Sequence, residues 1–503
     1  MELILQENSL EFMERVLCES VTQEQTAELI VPDSIADCDR VADAFGTVLV
    51  RSAESSDGAA AVIGSVLCGI VFVTENGSVE RLETQIPFTV RRELPQQEGR
   101  EAAKVVCRCH VCSADARMLN SRKLLLRVGI VCNLTAYVKK SRICHALEEP
   151  SEQLQLRRRE LPLILPQELG EKRFPINEEL ELPSAKPALA RLLRCLPRLT
   201  VTEQKLVGDK AVFKGEITAH VLYAAEDDSL HSHDWHIPFS QYAETDSELP
   251  EGSLQTTLLF NSFEVEPDSQ FECRRLFLSA NLIALCMVSA ARTIAVIDDA
   301  FCTDAELKPQ YEQWTLLSRL DLQSFHETAQ TNAPTPARSV LDAWAYPEEP
   351  AKQRDGARLT VELPLNCNVL YYDADGALQG KTLRPTVSLS SELSEQAGCT
   401  VTDLDYGEIF CSASSAGIDL RLPLTATAEF YAEQNLRSLS GGEIMPLEES
   451  GHGKPSVILR RTDSEEEVWE IAKSLRTPVR AIAEANAIEG TTVPANTMLL
   501  IPM

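Results

Sequence analysis

A strand-like run, GSVLCGIVFVTENG from Gly64, returns as GEITAHVLYAAEDD from Gly215 and, more loosely, as LPLNCNVLYYDADG from Leu363. A repeat of about 150 residues narrows the choice of fold sharply, because a chain that spells one unit three times is expected to fold as three versions of it. The spacing inside the unit also holds. Pro87-Phe88 and Pro238-Phe239, within QIPFTV and HIPFSQ, open twenty-three residues after Gly64 and Gly215, whereas the third copy keeps only Pro385 of the pair. Asn76-Gly77 and Asp375-Gly376 are hairpin signals at matching places, and Asp227-Asp228 holds that corner in the middle copy.

The flanking segments follow the same period. VPDSIADCDRVADAF around Pro32 corresponds to LPSAKPALARLLRCL around Pro183, with TPARSVLDAWAYPEEP around Pro336 as a degenerate third version. Each opens with a proline and then reads as helical or extended. Downstream, KLLLRVGIVCNLTAYV from Lys123 pairs with RLFLSANLIALCMV from Arg275 and with DLRLPLTATAEFYAE from Asp419. Branched and aromatic residues with turn signals every 10 to 15 residues or so predict a mainly β chain of tandem antiparallel sandwich-like repeats. The expected units are 1–150, 151–308 and a divergent 309–445.

Residues 456–503 read differently, as a small β-α-α-β domain. Val457-Ile458-Leu459 suits a short strand, and Ser464 with Glu467 three residues later suits a capping box. Val468, Ile471, Ala472 and Leu475 then share a helical face, Thr477-Pro478 restarts the chain as a cap with proline at the first helical position, and Val479, Ile482, Ala483 and Asn486 repeat the spacing. Met498 to Ile501 closes as a strand. With VWEIAKSLRTPVRAIAEANAIEG and the terminal LLIP, this segment resembles a LysM domain, a module that in its family binds N-acetylglucosamine glycans such as peptidoglycan. The family's Gly-Asp-Thr and Pro-Gly-Gln loops are replaced here by Glu465-Glu466-Glu467 and Pro494-Ala495-Asn496. Losing both glycines removes positions that permit positive φ and close backbone approach. The resemblance makes these six residues, with Trp469 on the first helix, the candidate binding surface. The acids either favour the helix N-terminus or meet a partner, and Trp469 is either core or an exposed apolar anchor.

The repeats, through LIVPDSIADCDRV, ELPSAKPALARLLR, VFKGEITAHVLYAAEDD and HIPFS, followed by a LysM-like end, resemble clostridial spore-coat morphogenetic proteins of the SipL type. That resemblance implies a mother-cell protein at the forespore surface that binds the coat's basement-layer ATPase-type morphogenetic protein through its LysM and repeat domains. Peptidoglycan glycan is the alternative ligand.

Composition excludes other classes. A formal charge of −29 argues against nucleic acid or an anionic membrane as partner. No run approaches the ~20 apolar residues of a membrane span, and MELILQENSLEFMERVL carries acids where a signal peptide needs a basic start, so a cytoplasmic location is expected. Fifteen scattered cysteines suit reduced thiols. Cys107, Cys109, His110 and Cys112 do not converge if they lie along a strand, so no metal is expected there. His231, His233 and His236 beside Asp234 suit a solvated loop. The phosphate-loop, dinucleotide, zinc-protease and serine-hydrolase motifs are all missing, so no catalytic residues and no cofactor are assigned and an enzyme is not expected.

Overall fold

Alternation of buried and exposed side chains along unusually long strands organises the chain, as a computed structural model describing residues 3, 5–95, 102–146, 153–245, 252–268, 274–393, 397–447 and 456–502 shows. The first unit contains β1 (Gln6–Ile30), β2 (Cys38–Ser56), β3 (Ala59–Thr74), β4 (Val79–Glu93), β5 (Lys104–Asn120) and β6 (Lys123–Ala146). They make two antiparallel sheets, ordered β1-β6-β5 and β2-β3-β4. The second unit, β7 (Leu154–Glu181), β8 (Arg191–Val207), β9 (Lys210–Ala224), β10 (Leu230–Glu244), β11 (Gly252–Pro267) and β12 (Arg275–Cys302), has the same plan, β7-β12-β11 and β8-β9-β10. The protein is therefore mainly β, built from several antiparallel sheets.

The third unit follows this plan with broken strands: β13 (Ala305–Ala333), β14 (Ser339–Pro347), β15 (Ala351–Asp355), β16 (Arg358–Tyr372), β17 (Leu378–Leu383), β18 (Thr386–Glu392), β19 (Gly398–Tyr406), β20 (Phe410–Ala413) and β21 (Ile418–Pro446). β21 pairs with β13 on one side and with β19 and β20 on the other, while β16 pairs with β14, β15, β17 and β18. Two of the breaks fall at Pro347 to Pro350 and at Pro385, where a missing N–H interrupts the ladder, and the third at Gly407 to Ile409, between β19 and β20.

Register explains the sequence spacing. Gly64 on β3 lies opposite Phe88 on β4, and Gly215 on β9 lies opposite Phe239 on β10. A Cβ at Gly64 would sit 2.8 Å from the Phe88 ring, and one at Gly215 would sit 2.5 Å from the Phe239 ring. Each ring therefore covers bare backbone that only glycine offers. The hairpin corners agree too: Gly77, Asp228 and Gly376 have φ of 86°, 59° and 80°. Their N–H groups close turns onto Thr74, Ala225 and Asp373, so Asp228 takes the left-handed position that glycine fills in the other two. The proline-led segments are extended, each of the first two turning where Ile35 or Lys186 bonds back to Pro32 or Pro183.

Within a unit the sheets face each other across a shared core, with Val62, Val66, Cys68 and Ile70 of β3 against Leu124, Leu126, Val128 and Ile130 of β6. The units contact one another in cyclic order, β4 with β8, β10 with β14 and β17 with β2. The long strand pairs β1/β6, β7/β12 and β13/β21 also meet, in a core that includes Phe12, Leu163, Leu165, Val296, Trp314 and Leu436. Each pair carries a bulge, skipping Val16, Gln167 and Leu320 respectively, which bends the long strand.

The C-terminal segment is β22 (Val457–Arg461), β23 (Glu466–Glu467), α1 (Val468–Leu475), α2 (Val479–Asn486), β24 (Thr492–Val493) and β25 (Met498–Pro502). β22 pairs antiparallel with β25 and β23 with β24. The expected capping box does not form: Glu467 caps α1 without a side-chain bond, because β23 holds it in an extended ladder. The cap of α2 is Pro478 itself, one residue later than expected. Asn486 reaches across to β25, donating to Leu500 O (2.7 Å) and accepting from Leu500 N (2.7 Å).

Candidate functional site

The two altered loops of the C-terminal segment come together. Glu466 and Glu467 lie in register with Val493 and Thr492, and Asn496 N donates to Thr462 O (2.7 Å). Thr462, fully buried, also donates its hydroxyl to Pro494 O (2.7 Å) and accepts from Thr497 N (3.0 Å), so it staples one loop to the other. Glu465, Pro494, Ala495 and Asn496 are exposed. Asn496 adopts φ 62°, and Arg461 Nη2 donates to its side chain (2.8 Å). The left-handed turn expected to require glycine is thus made by asparagine.

Three of the proposed binding residues point elsewhere. Glu466 pairs with Arg460 (2.7 Å) inside the segment, and Glu467 pairs with Arg157 of β7 (3.1 Å). Trp469, readable from the sequence as either core or an exposed anchor, is buried: its Nε1 donates to Asp299 Oδ2 (2.8 Å) and its ring meets Phe301 edge-on at 5.1 Å. Helix α1 is accordingly the surface by which the segment docks on the end of β12. Asp299 is the centre of that contact, accepting also from Lys473 (2.7 and 2.8 Å) and from Tyr311 of β13 (2.7 Å). A bulge at Asp298 precedes it, and Asp298 itself pairs with Arg157 (2.9 Å). Burial opposes ionisation of Asp299, but the bonds from Lys473, Tyr311 and Trp469 outweigh it and hold the carboxyl down at about 2.

A second cluster lies where the three units meet, and no sequence motif announced it. β2, β8 and β14 each carry a bulge at the matching place, skipping Ala42, Leu193 and Leu341. The next residues are Asp43, Arg194 and Asp342, all turned inward. Arg194, completely buried, pairs with both carboxylates and lies 3.6 Å over the Trp344 ring. His220 of β9 bridges Asp342 (2.8 Å) and Asp234. Burial works against its charge, yet the two carboxylates outweigh it and raise His220 to about 9. Asp43 has only its share of Arg194, and burial pushes it up to about 7, while His220 and Arg194 together keep Asp342 low against its own burial. The only sequence trace of this network is Asp, Arg and Asp at equal offsets within the repeat.

Beside this network opens a cavity of about 920 Å³, lined by all three units, including Arg108, His110, Arg198, His233, Tyr406 and Asp403. His231, His233 and His236 are on β10, a strand and not the expected loop, because the hairpin turn ends just before Leu230. His236 bonds Glu216 (2.8 Å) and His233 packs edge-on against Trp235 (4.6 Å). On β5, Cys107 and Cys109 lie two residues apart, Cys112 is the bulged residue, and Cys132 faces Cys109 directly. Cys107 and Cys132 beside it, together with burial, hold the Cys109 thiol well above its ordinary range. Among the described residues no group of three or more His, Cys, Asp or Glu is placed to hold a metal, and no helix is long and apolar enough to cross a membrane.

The matched strands and bulges direct attention to the middle unit, and it is there that a known family is found. Residues 189–261 match the family model described as SipL, SPOCS domain. The segment runs from the start of β8 into β11 and contains Arg194, His220 and Asp234. This match supports a SipL-type relationship and a sporulation-related protein. No curated protein and no solved structure matches the chain.

Proposed function

We propose that this chain is a non-enzymatic assembly protein of the spore coat, with three copies of one β domain forming a rigid body and a LysM-like module presenting the partner-binding loops. The observation that carries this reading is the SipL, SPOCS match over the unit whose arginine lies at the centre of the inter-unit network. A body closed by buried ion pairs and long shared strands suits a scaffold, which needs fixed geometry more than a reactive group. The partner we favour is the coat's basement-layer ATPase-type morphogenetic protein at the forespore surface. It would meet Glu465, Pro494, Ala495 and Asn496, the exposed loop residues that are not engaged in the ion pairs of Glu466 and Glu467.

A second reading, glycan binding by the same loops, gains support from Asn496, whose positive φ preserves the turn that the family builds with glycine. Binding assays on the full chain separate the two. Glu465→Lys with Ala495→Arg, both at exposed positions, should change stability by no more than about 1 kcal/mol and weaken binding to the purified ATPase-type coat protein in a salt-dependent way. Saturable binding of chitooligosaccharides by the unsubstituted chain, abolished by the same two changes, would favour the glycan reading instead.

A further inference from the structure

Among the described residues nothing covers the outer face of the two-stranded sheet of the C-terminal module. Ile458, Leu499 and Ile501 turn toward the helices, which leaves Val457, Leu459, Met498 and Leu500 outward with exposures of 49, 69, 61 and 39%. Leu459 stands directly opposite Leu500, and Arg461 opposite Met498. The outward positions therefore hold apolar side chains and one arginine, with no acid, on a chain of net charge −29. An apolar group of this kind on a surface marks a contact site.

The second unit offers a face of the opposite character. Phe277 of β12 is 44% exposed, and its two cross-strand neighbours are Glu179 of β7 and Glu266 of β11, both exposed. Directly opposed residues in a sheet share a face, so the ring stands between two carboxylates, of which Glu179 also pairs with Arg275 (3.7 Å), two residues before Phe277 on the same strand. In the first unit the position opposite Glu28 is Leu125, with Arg117 on its other side, and no such aromatic–acid face arises.

These faces are at opposite ends of one strand. The module docks through Phe301, at the far end of β12 from Phe277. At ~3.3 Å per residue the two points are separated by on the order of 70–80 Å, so the faces of one copy cannot meet. We propose that the chain associates head to tail with a second copy of itself, the module's outer sheet face seating on the Phe277 face of the next molecule, with Arg461 directed to Glu266. Such a contact is heterologous: each copy keeps one free face of each kind, and the contact repeats into open rows. Both faces are small, so the association is weak and shows only across a concentration series.

Sedimentation velocity of the full chain tests this. The weight-average sedimentation coefficient should rise with concentration, and Leu459→Glu or Phe277→Ser should each abolish the rise. Both sites are exposed, so far-UV circular dichroism of each variant should match the parent, and Glu266→Lys, which leaves the apolar residues intact, should weaken the rise. An equal mixture of Leu459→Glu and Phe277→Ser should recover a dimer and nothing larger, since each variant retains one intact face. A parent chain that sediments as one species at every concentration would overturn the proposal. So would association that survives Phe277→Ser, which would point to paired module faces.

Discussion

Arg194 concentrates the energetics of the inter-unit junction on one side chain. Removing it leaves Asp43 and Asp342 buried with less countercharge, and losing one member of a buried ion network typically costs about 3–5 kcal/mol. Arg194→Met should therefore lower the denaturation midpoint strongly, and adding Asp43→Asn and Asp342→Asn to it should recover part of the loss. Additive losses in the triple variant would contradict the network. His220 supplies a pH signature. Its folded value of about 9 lies above the ordinary 6.5, so its contribution is complete below about 6.5 and fades as pH rises through about 9. His220→Gln should flatten the fall in stability over that interval, as urea titrations at a series of pH values would show.

At the scale of strands and hairpins, much was legible and the reason is periodicity. The spacing from Gly64 to Pro87 and from Gly215 to Pro238 places a glycine under a phenylalanine in both units, a cross-strand relation that leaves a fixed interval in the chain. Gly64→Ala and Gly215→Ala should each destabilise by about 1–3 kcal/mol through overpacking against the ring and against the carbonyl of Leu49 or Thr200 on the neighbouring strand, measured by chemical denaturation. Gly64→Ala combined with Phe88→Leu should be milder than the sum of the two single changes. What the sequence hid was non-local. The bulges that aim Asp43, Arg194 and Asp342 inward add one unpaired residue and leave no motif. Likewise, Ser464 and Glu467 have the spacing of a capping box, but pairing with β24 takes Glu467 into a strand first. Trp469 could be read as core or as anchor from its helical position alone. Its partner, Asp299, lies 170 residues away.

For the whole molecule, the position of the C-terminal module on the three-unit body rests on Asp299, which receives Trp469, Lys473 and Tyr311. Asp299→Asn should loosen the module, seen as a red shift in Trp469 emission and an earlier first melting transition. Asp299 titrates near 2, below an unfolded aspartate near 3.9, so its contribution is present above about pH 4 and is lost as pH falls toward about 2. The proposed role, assembly of the spore coat by a chain that its module recruits, is open to direct imaging of a fluorescent fusion of the full chain in sporulating cells. The signal should encircle the forespore and disperse through the mother cell when Glu465 and Ala495 are changed to Lys and Arg. Labelling of the wall of vegetative cells, unchanged by those substitutions, would contradict it.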